Sequence, residues 1–272
     1  MPEERADIIV NVLIAHTNPE EHPTWSNAWV RDAVDDLYAY DVNSTEKGHL
    51  QDMELQQKYV EKGVFDYTYA MEQCYKKGTP YIAMFEDDVL LADGWLVRTL
   101  LGLRDVEKYS NKDKPWLFMR LFNQERSTGW ATKRIGGNHE FWIILGIDLG
   151  LIVPFLLARR FWPRGRDHLS LKSLYILAGL FIPALVILFY QSGKASLLPP
   201  SPGVVNEPFG CCSQLMVFPR AQVPVVLEFL RARREGQIDL YLNDLAEENG
   251  LARYALYPVQ GQHIGTYDSV VM

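Results

Sequence analysis

Short apolar runs alternate along this chain with polar, helix-patterned stretches, and glycine, proline and acidic residues separate them. That rhythm predicts strands and helices of an α/β fold. Ile8 to Ala15 reads as a first strand, and a polar loop from His16 to Pro23 follows it. Trp25 to Asp36 has helical spacing, and Leu37 to Tyr40 reads as a second strand ending at Asp41. Asp52 to Lys77 is patterned as helix with Gly63 as a break. Pro80 to Phe85, bounded by Gly78, predicts a buried strand. A turn at Asp93-Gly94-Trp95, a helix from Leu96 to Lys108 and a strand from Trp116 to Phe122 come next. Later in the chain, Ser196 to Pro208 reads as a proline-rich linker and Cys211 to Phe218 as strand. Gln222 to Arg234 and Gln237 to Asn249 have amphipathic helical spacing. No internal repeat stands out.

Two longer apolar runs interrupt this pattern. Phe141 to Ala158 is apolar apart from Asp148, and Ser173 to Tyr190 carries no charge. Each approaches the roughly 17–25 residues that cross a bilayer as helix. The link from Arg159 to Lys172 holds five Lys/Arg. That basic bias predicts a membrane hairpin with a cytoplasmic loop and both ends on the far side. Asp148 would be costly at mid-membrane without a partner. One expectation is a partner on an N-terminal membrane helix that precedes the chain, and another is a protonated carboxyl. Gly146, Gly150 and Gly179 permit close helix approach.

Outside the hairpin remain roughly 220 residues, enough for one α/β domain. Residues 1–140 and 191–272 each lack a full set of strands. They are therefore expected to fold as one domain, with residues 141–190 inserted and 159–172 as the cytoplasmic loop. The net charge of −7 argues against a nucleic-acid surface. The cysteines, Cys74, Cys211 and Cys212, show no zinc spacing. Three thiols suit a mostly reduced protein or one disulfide with one thiol over. Neighbouring cysteines rarely bond each other, so any bridge is expected to join Cys74 to one of the pair. The polar start, Met1 to Asp7, has no signal-peptide core. A lumenal domain then needs an upstream signal-anchor helix. The triplet Asn43-Ser44-Thr45 is a glycosylation sequon and accords with such a domain.

The chemistry concentrates at Glu86, Asp87 and Asp88, at the end of the predicted strand Pro80–Phe85. In α/β sheets, ligands gather at the carboxyl ends of strands. Three acids there repel one another unless a cation sits among them. Mg²⁺ and Mn²⁺ take such oxygen ligands together with substrate phosphates. A cap on the following stretch, Val89 to Leu91, would need only one acid.

These residues bring a resemblance with them. EDDV (Glu86 to Val89), RLFN-E (Arg120 to Glu125) and Gly129-Trp130 precede the hairpin. GCCSQLMVFPR (Gly210 to Arg220) and QHIGTYDS (Gln262 to Ser269) follow it. From about Ile8 to Ser269, the chain resembles the fungal form of the Golgi transferases that add N-acetylgalactosamine to glycosylphosphatidylinositol (GPI) anchors. It is more distantly similar to the N-glycan branching N-acetylglucosaminyltransferases, which lack the hairpin. The resemblance implies a GT-A type domain split by a two-helix transmembrane hairpin. It also implies a UDP-sugar donor, Mn²⁺ or Mg²⁺, a GPI-anchor glycan as acceptor beside membrane lipid, and a multi-pass Golgi protein with a lumenal catalytic domain.

On that reading Asp88 contacts the metal, Glu86 meets the metal's water or the ribose, and Asp87 lies against the donor. His263 is a further ligand or a diphosphate contact, and Asp41 meets uracil or ribose. An inverting transfer needs a general base, for which Asp239 and Glu207 are the candidates. Arg120 and Glu125 are expected on the acceptor side, with a structural ion pair as the other reading of Arg120. A non-catalytic glycan-binding membrane protein is the alternative from another class.

Overall fold

The computed structural model describes residues 8–109, 115–123, 139–162, 170–192, 200–207 and 210–265. Its centre is a five-stranded mixed sheet in the order β3 (Tyr81–Phe85), β7 (Leu215–Pro219), β5 (Trp116–Arg120), β8 (Ala252–Tyr257), β6 (Gly203–Asn206). Only β5 and β8 run parallel, with Arg120 facing Ala255. The pairs β3–β7, β5–β7 and β6–β8 are antiparallel. Thus β3 and β5 precede the apolar hairpin, β6, β7 and β8 follow it, and all five share one hydrogen-bonded sheet.

The sheet's two faces follow the period-two rule for strands. On β7, Met216 and Phe218 face one core with Phe118, while Leu215 and Val217 face another with Met119 and Leu121. The first core is closed by α3 (Tyr59–Lys76), α7 (Val223–Arg231) and α8 (Ile238–Glu248), through Met71, Leu230 and Leu242. The second is closed by α4 (Trp95–Tyr109), through Leu103 and Val106. Each such aliphatic or aromatic side chain stabilises the fold by about 1.5–3 kcal/mol when fully buried. β5 is buried along its whole length, which is why its sequence reads as a continuous apolar run up to Arg120.

Two small parallel strands, β1 (Asn11–Leu13) and β2 (Asp36–Tyr38), form a separate sheet. The short α1 (Ala28–Ala33) connects them. α2 (Ser44–Leu55) starts at Asn43, whose side chain accepts the Glu46 N–H. The expected break at Gly63 lies elsewhere: Gly63 is inside α3, and the chain turns at Gln57, where φ is +57°. A left-handed residue ends one helix and frees the next to start in a new direction. Lys62, nearly buried, ties these parts together by donating to the Ala15 carbonyl, Tyr40 Oη and Asp66. The stretch expected to be only a linker contains β6, and the segment after α8 contains β8.

Cys211 and Cys212 are bonded to each other, which corrects the expected bridge to Cys74. Cys74 lies on α3 against β1, where the Asn11 amide donates to its sulfur at 3.7 Å. The bonded pair lies ahead of β7 instead.

α5 (Glu140–Phe161) and α6 (Leu171–Gln191) are long and apolar enough to cross a membrane. None of the apolar window of α5 is buried within the protein, although the two helices pack on each other. The less exposed positions of α5, Ile144, Asp148, Ile152 and Phe155, recur at helical spacing, as do Leu174, Ile182 and Tyr190 of α6. One Asp148 carboxylate oxygen is buried without a hydrogen-bond partner among the described residues.

Candidate active site

The carboxyl ends of β3 and β5 and the amino end of β7 meet at one end of the central sheet. Their register puts residues 86–88, 121–123 and 213–215 side by side: the Glu86 N–H donates to the Gln214 carbonyl and the Leu121 N–H to the Leu215 carbonyl.

On the α4 side, β4 (Val89–Leu91) pairs with β9 (Gly261–His263), so that Val89 faces His263. The Ile264 N–H donates to the Asp88 carbonyl at 2.8 Å, locking that register. His263 Nε2 consequently lies 2.7 Å from Asp88 Oδ2, with Phe122 against the imidazole. Asp88 Oδ1 is buried and has no hydrogen-bond partner among the described residues. Gly261 admits this approach, because a Cβ there would collide with the Leu215 side chain.

On the other side, Glu86 Oε1 accepts from Ser213 Oγ at 2.7 Å. Burial raises the Glu86 pKa, the Ser213 hydrogen bond and His263 lower it, and Asp88 and Asp87 add to the rise. Asp87 is exposed at the tip. Cys212, next to Ser213, donates its N–H to Asp239 Oδ2 at 2.8 Å. Asp239 Oδ1 accepts the Leu240 N–H at 2.9 Å. Gly210 to Gln214 therefore connects the β3 carboxylates to the start of α8.

Beneath this segment Arg120 is fully buried, its guanidinium 4.7 Å from the Phe118 ring centre and 3.3 Å from Glu207 Oε2. Its other nitrogen reaches Asn243 Oδ1 at 3.5 Å, and Arg253 donates to the same oxygen at 3.2 Å. Burial works against the Arg120 charge, and Glu207 and Asp239 support it. Glu207 is 4% exposed, and burial pushes its pKa up to about 7 despite Arg120. Tyr67 of α3 is pushed well above its ordinary value by burial and by Glu86, with Arg120 opposing.

Buried polar atoms without partners are costly and uncommon. Here those without a partner among the described residues gather around this end of the sheet: Tyr67 Oη, Asp88 Oδ1, Arg120 Nε, both polar atoms of Asn123, Glu207 Oε1 and Gln214 Oε1. A polar ligand and its water would satisfy them. An open pocket lined by Tyr75, Pro80, Trp116 and Arg220 lies at the opposite end of the sheet. It holds none of these unpartnered atoms.

Among the described residues no three His, Cys, Asp or Glu side chains form a ready-made metal centre. The donor set still suits a hard divalent cation. Asp88 offers an unengaged oxygen, His263 a nitrogen, and such ions complete their shells with water and phosphate. The structure thus brings Asp88, His263 and Glu86 together, and joins Asp239 and Glu207 to them through Arg120 and residues 210–214. Asp41 stands apart. It follows β2 with its side chain exposed, and its main-chain N–H donates to Tyr69 Oη. Glu125 and the end of QHIGTYDS lie outside the described residues. Sequence reasoning missed Ser213, Tyr67, Asn243 and Arg253, which have no local signature and enter only through tertiary contact.

The family model described as GPI-N-acetylgalactosamine transferase PGAP4 matches residues 26–260. No curated protein and no solved structure matches the chain. The match takes in the acidic triplet, both apolar helices and the buried Arg120 network. The chain therefore belongs to the GPI-N-acetylgalactosamine transferase PGAP4 family, a family of glycosyltransferases.

Proposed function

We propose that this protein transfers N-acetylgalactosamine from a UDP-linked donor to the glycan of a GPI anchor, in the Golgi lumen, with Mn²⁺ or Mg²⁺ held at Asp88 and His263. The family supports the transferase and acceptor class. The observation that carries the site is the pairing of Asp88 with His263, beside a carboxylate oxygen that is buried and without a partner among the described residues. The split sheet is read as a GT-A arrangement on the same basis.

When bound, a divalent cation would stabilise the charge on the departing nucleoside diphosphate. Glu86, held by Ser213, would orient water or ribose beside it. The acceptor hydroxyl oxygen forms a bond to the sugar's anomeric carbon as the bond to the diphosphate oxygen breaks, and a general base takes the hydroxyl proton. Of the two candidate bases, Glu207 is 4% exposed and packed against Arg120, which closes it to an incoming acceptor hydroxyl. Asp239 is half-buried, and two main-chain N–H groups fix its carboxylate. Asp239 is therefore the base of choice in this reading. Two membrane-length helices would keep the cleft near the bilayer, where a lipid-anchored glycan is presented. The basic link between them assigns the loop to the cytoplasm, and a disulfide accords with an oxidising lumen.

Titration calorimetry in detergent with UDP-GalNAc, UDP-GlcNAc and UDP-galactose, each with and without Mn²⁺, tests the proposal. Manganese-dependent binding of UDP-GalNAc, lost in Asp88→Ala, is expected. Preference for UDP-GlcNAc would favour a branching-type transferase, and a folded protein that binds none would overturn the catalytic reading.

A further inference from the structure

The sequon Asn43-Ser44-Thr45 is the one Asn-x-Ser/Thr triplet in the chain, and the transferase reading leaves it unused. Its surroundings suit modification. Asn43, Ser44 and Thr45 are all exposed, and Ser44 at the middle position is not proline. The Asn43 backbone is extended, with φ −67° and ψ 163°, immediately before α2. Asn43 Oδ1 accepts the Glu46 N–H at 2.9 Å. Nδ2, the other end of the amide, donates to nothing among the described residues. A substituent on Nδ2 leaves the carbonyl oxygen in place, so the helix keeps its cap after modification.

From this geometry we infer that Asn43 carries an N-linked glycan. The inference rests on the lumenal placement proposed above. The donor would be an oligosaccharide linked to a polyprenyl diphosphate. The Asn43 nitrogen forms a bond to the first sugar's anomeric carbon, and that carbon's bond to the diphosphate oxygen breaks. The lipid diphosphate leaves with the electron pair, and the amide gives up one proton. The sugar chain would extend from the edge near β2, two residues beyond Asp41. That edge is then solvent-facing, and the bulk of the donor site lies with Asp88 and His263.

The test expresses the full-length protein in a eukaryotic host and treats its membranes with peptide N-glycosidase. The expected result is one discrete gain in gel mobility. It should be absent in Thr45→Ala and in Asn43→Asp, each of which keeps a side-chain oxygen at the cap, and preserved in Thr45→Ser. Protease protection of sealed vesicles, probed at an epitope between Trp95 and Tyr109, separates this inference from the topology. A protected epitope without a mobility change overturns the Asn43 glycan and leaves the lumenal reading standing. A digested epitope overturns both. A mobility change that survives in Thr45→Ala also overturns the inference, since the glycan would then sit at a site other than Asn43.

Discussion

His263 Nε2 lies 2.7 Å from Asp88 Oδ2, although 175 positions separate the two residues. The β4–β9 ladder makes the pairing obligatory, because Val89 and His263 are register partners and the Ile264 N–H closes on the Asp88 carbonyl. Asp88→Asn should therefore lower sugar transfer by at least about 100-fold, the scale expected when a charge-stabilising group is lost. Manganese-dependent donor binding should fall with it in calorimetry, while the circular dichroism spectrum stays unchanged. Full activity in this variant would remove Asp88 from the mechanism.

Ser213 supplies the described hydroxyl donor to Glu86. Ser213→Ala should cost about 1.5–3 kcal/mol, the range for a hydrogen bond to a charged group, and Ser213→Thr should recover most of it. Thermal unfolding with bound nucleotide, compared across the three proteins, checks this. Indistinguishable melting would show that the hydroxyl contributes nothing.

Glu207 has a folded pKa near 7, above its ordinary value of 4.5, because burial outweighs the pull of Arg120. The folded state therefore holds this proton more tightly than the unfolded chain does. Its contribution to stability is complete below pH 4.5 and is lost as pH rises through the folded pKa. Denaturant unfolding between pH 5 and pH 8, at about unit intervals, should give a falling stability curve. Glu207→Gln should flatten the part of the slope due to this residue; an unaltered slope would count against the assignment.

A Cβ at Gly210 would press on the Arg120 guanidinium and lie 2.6 Å from the Glu207 carboxyl. Gly210→Ala should destabilise the protein by about 1–3 kcal/mol, as overpacking does. Gly48, within α2, has nothing within 4 Å of its Cβ position. Gly48→Ala should stabilise by up to about 1 kcal/mol. Chemical denaturation of both variants makes the contrast, and equal shifts would refute it.

Where hydrophobic pattern and secondary structure coincide, the fold was legible from sequence. The run to Phe85 is β3, the stretch from Trp116 is β5, and the two long apolar runs are helices α5 and α6. β6 escaped notice because its four residues, Gly203–Asn206, sit among prolines at the sheet edge. β8 escaped because Arg253 interrupts its apolar pattern, and only the fold reveals its partner in Asn243. The helix break at Gln57 was misplaced onto Gly63, since glycine's flexibility signals where a chain is able to turn, not where it does. Within the candidate site the acidic triplet announced itself by local charge density. The Ser213–Glu86 contact, 127 positions apart in the chain, is a product of tertiary folding that spacing does not encode.

The central sheet imposes a rule of parity on the membrane. β7 hydrogen-bonds to β3 and β5, which lie on the other side of the hairpin in sequence. Strands that share a ladder must share a compartment, so under the proposed membrane placement the chain between them would cross the bilayer an even number of times. A lesion that stopped one of the two helices from inserting would do more than shorten an anchor. It would strand β6 to β9 across the membrane from β3 and β5, divide Asp88 from His263, and leave two fragments with no catalytic site on either side.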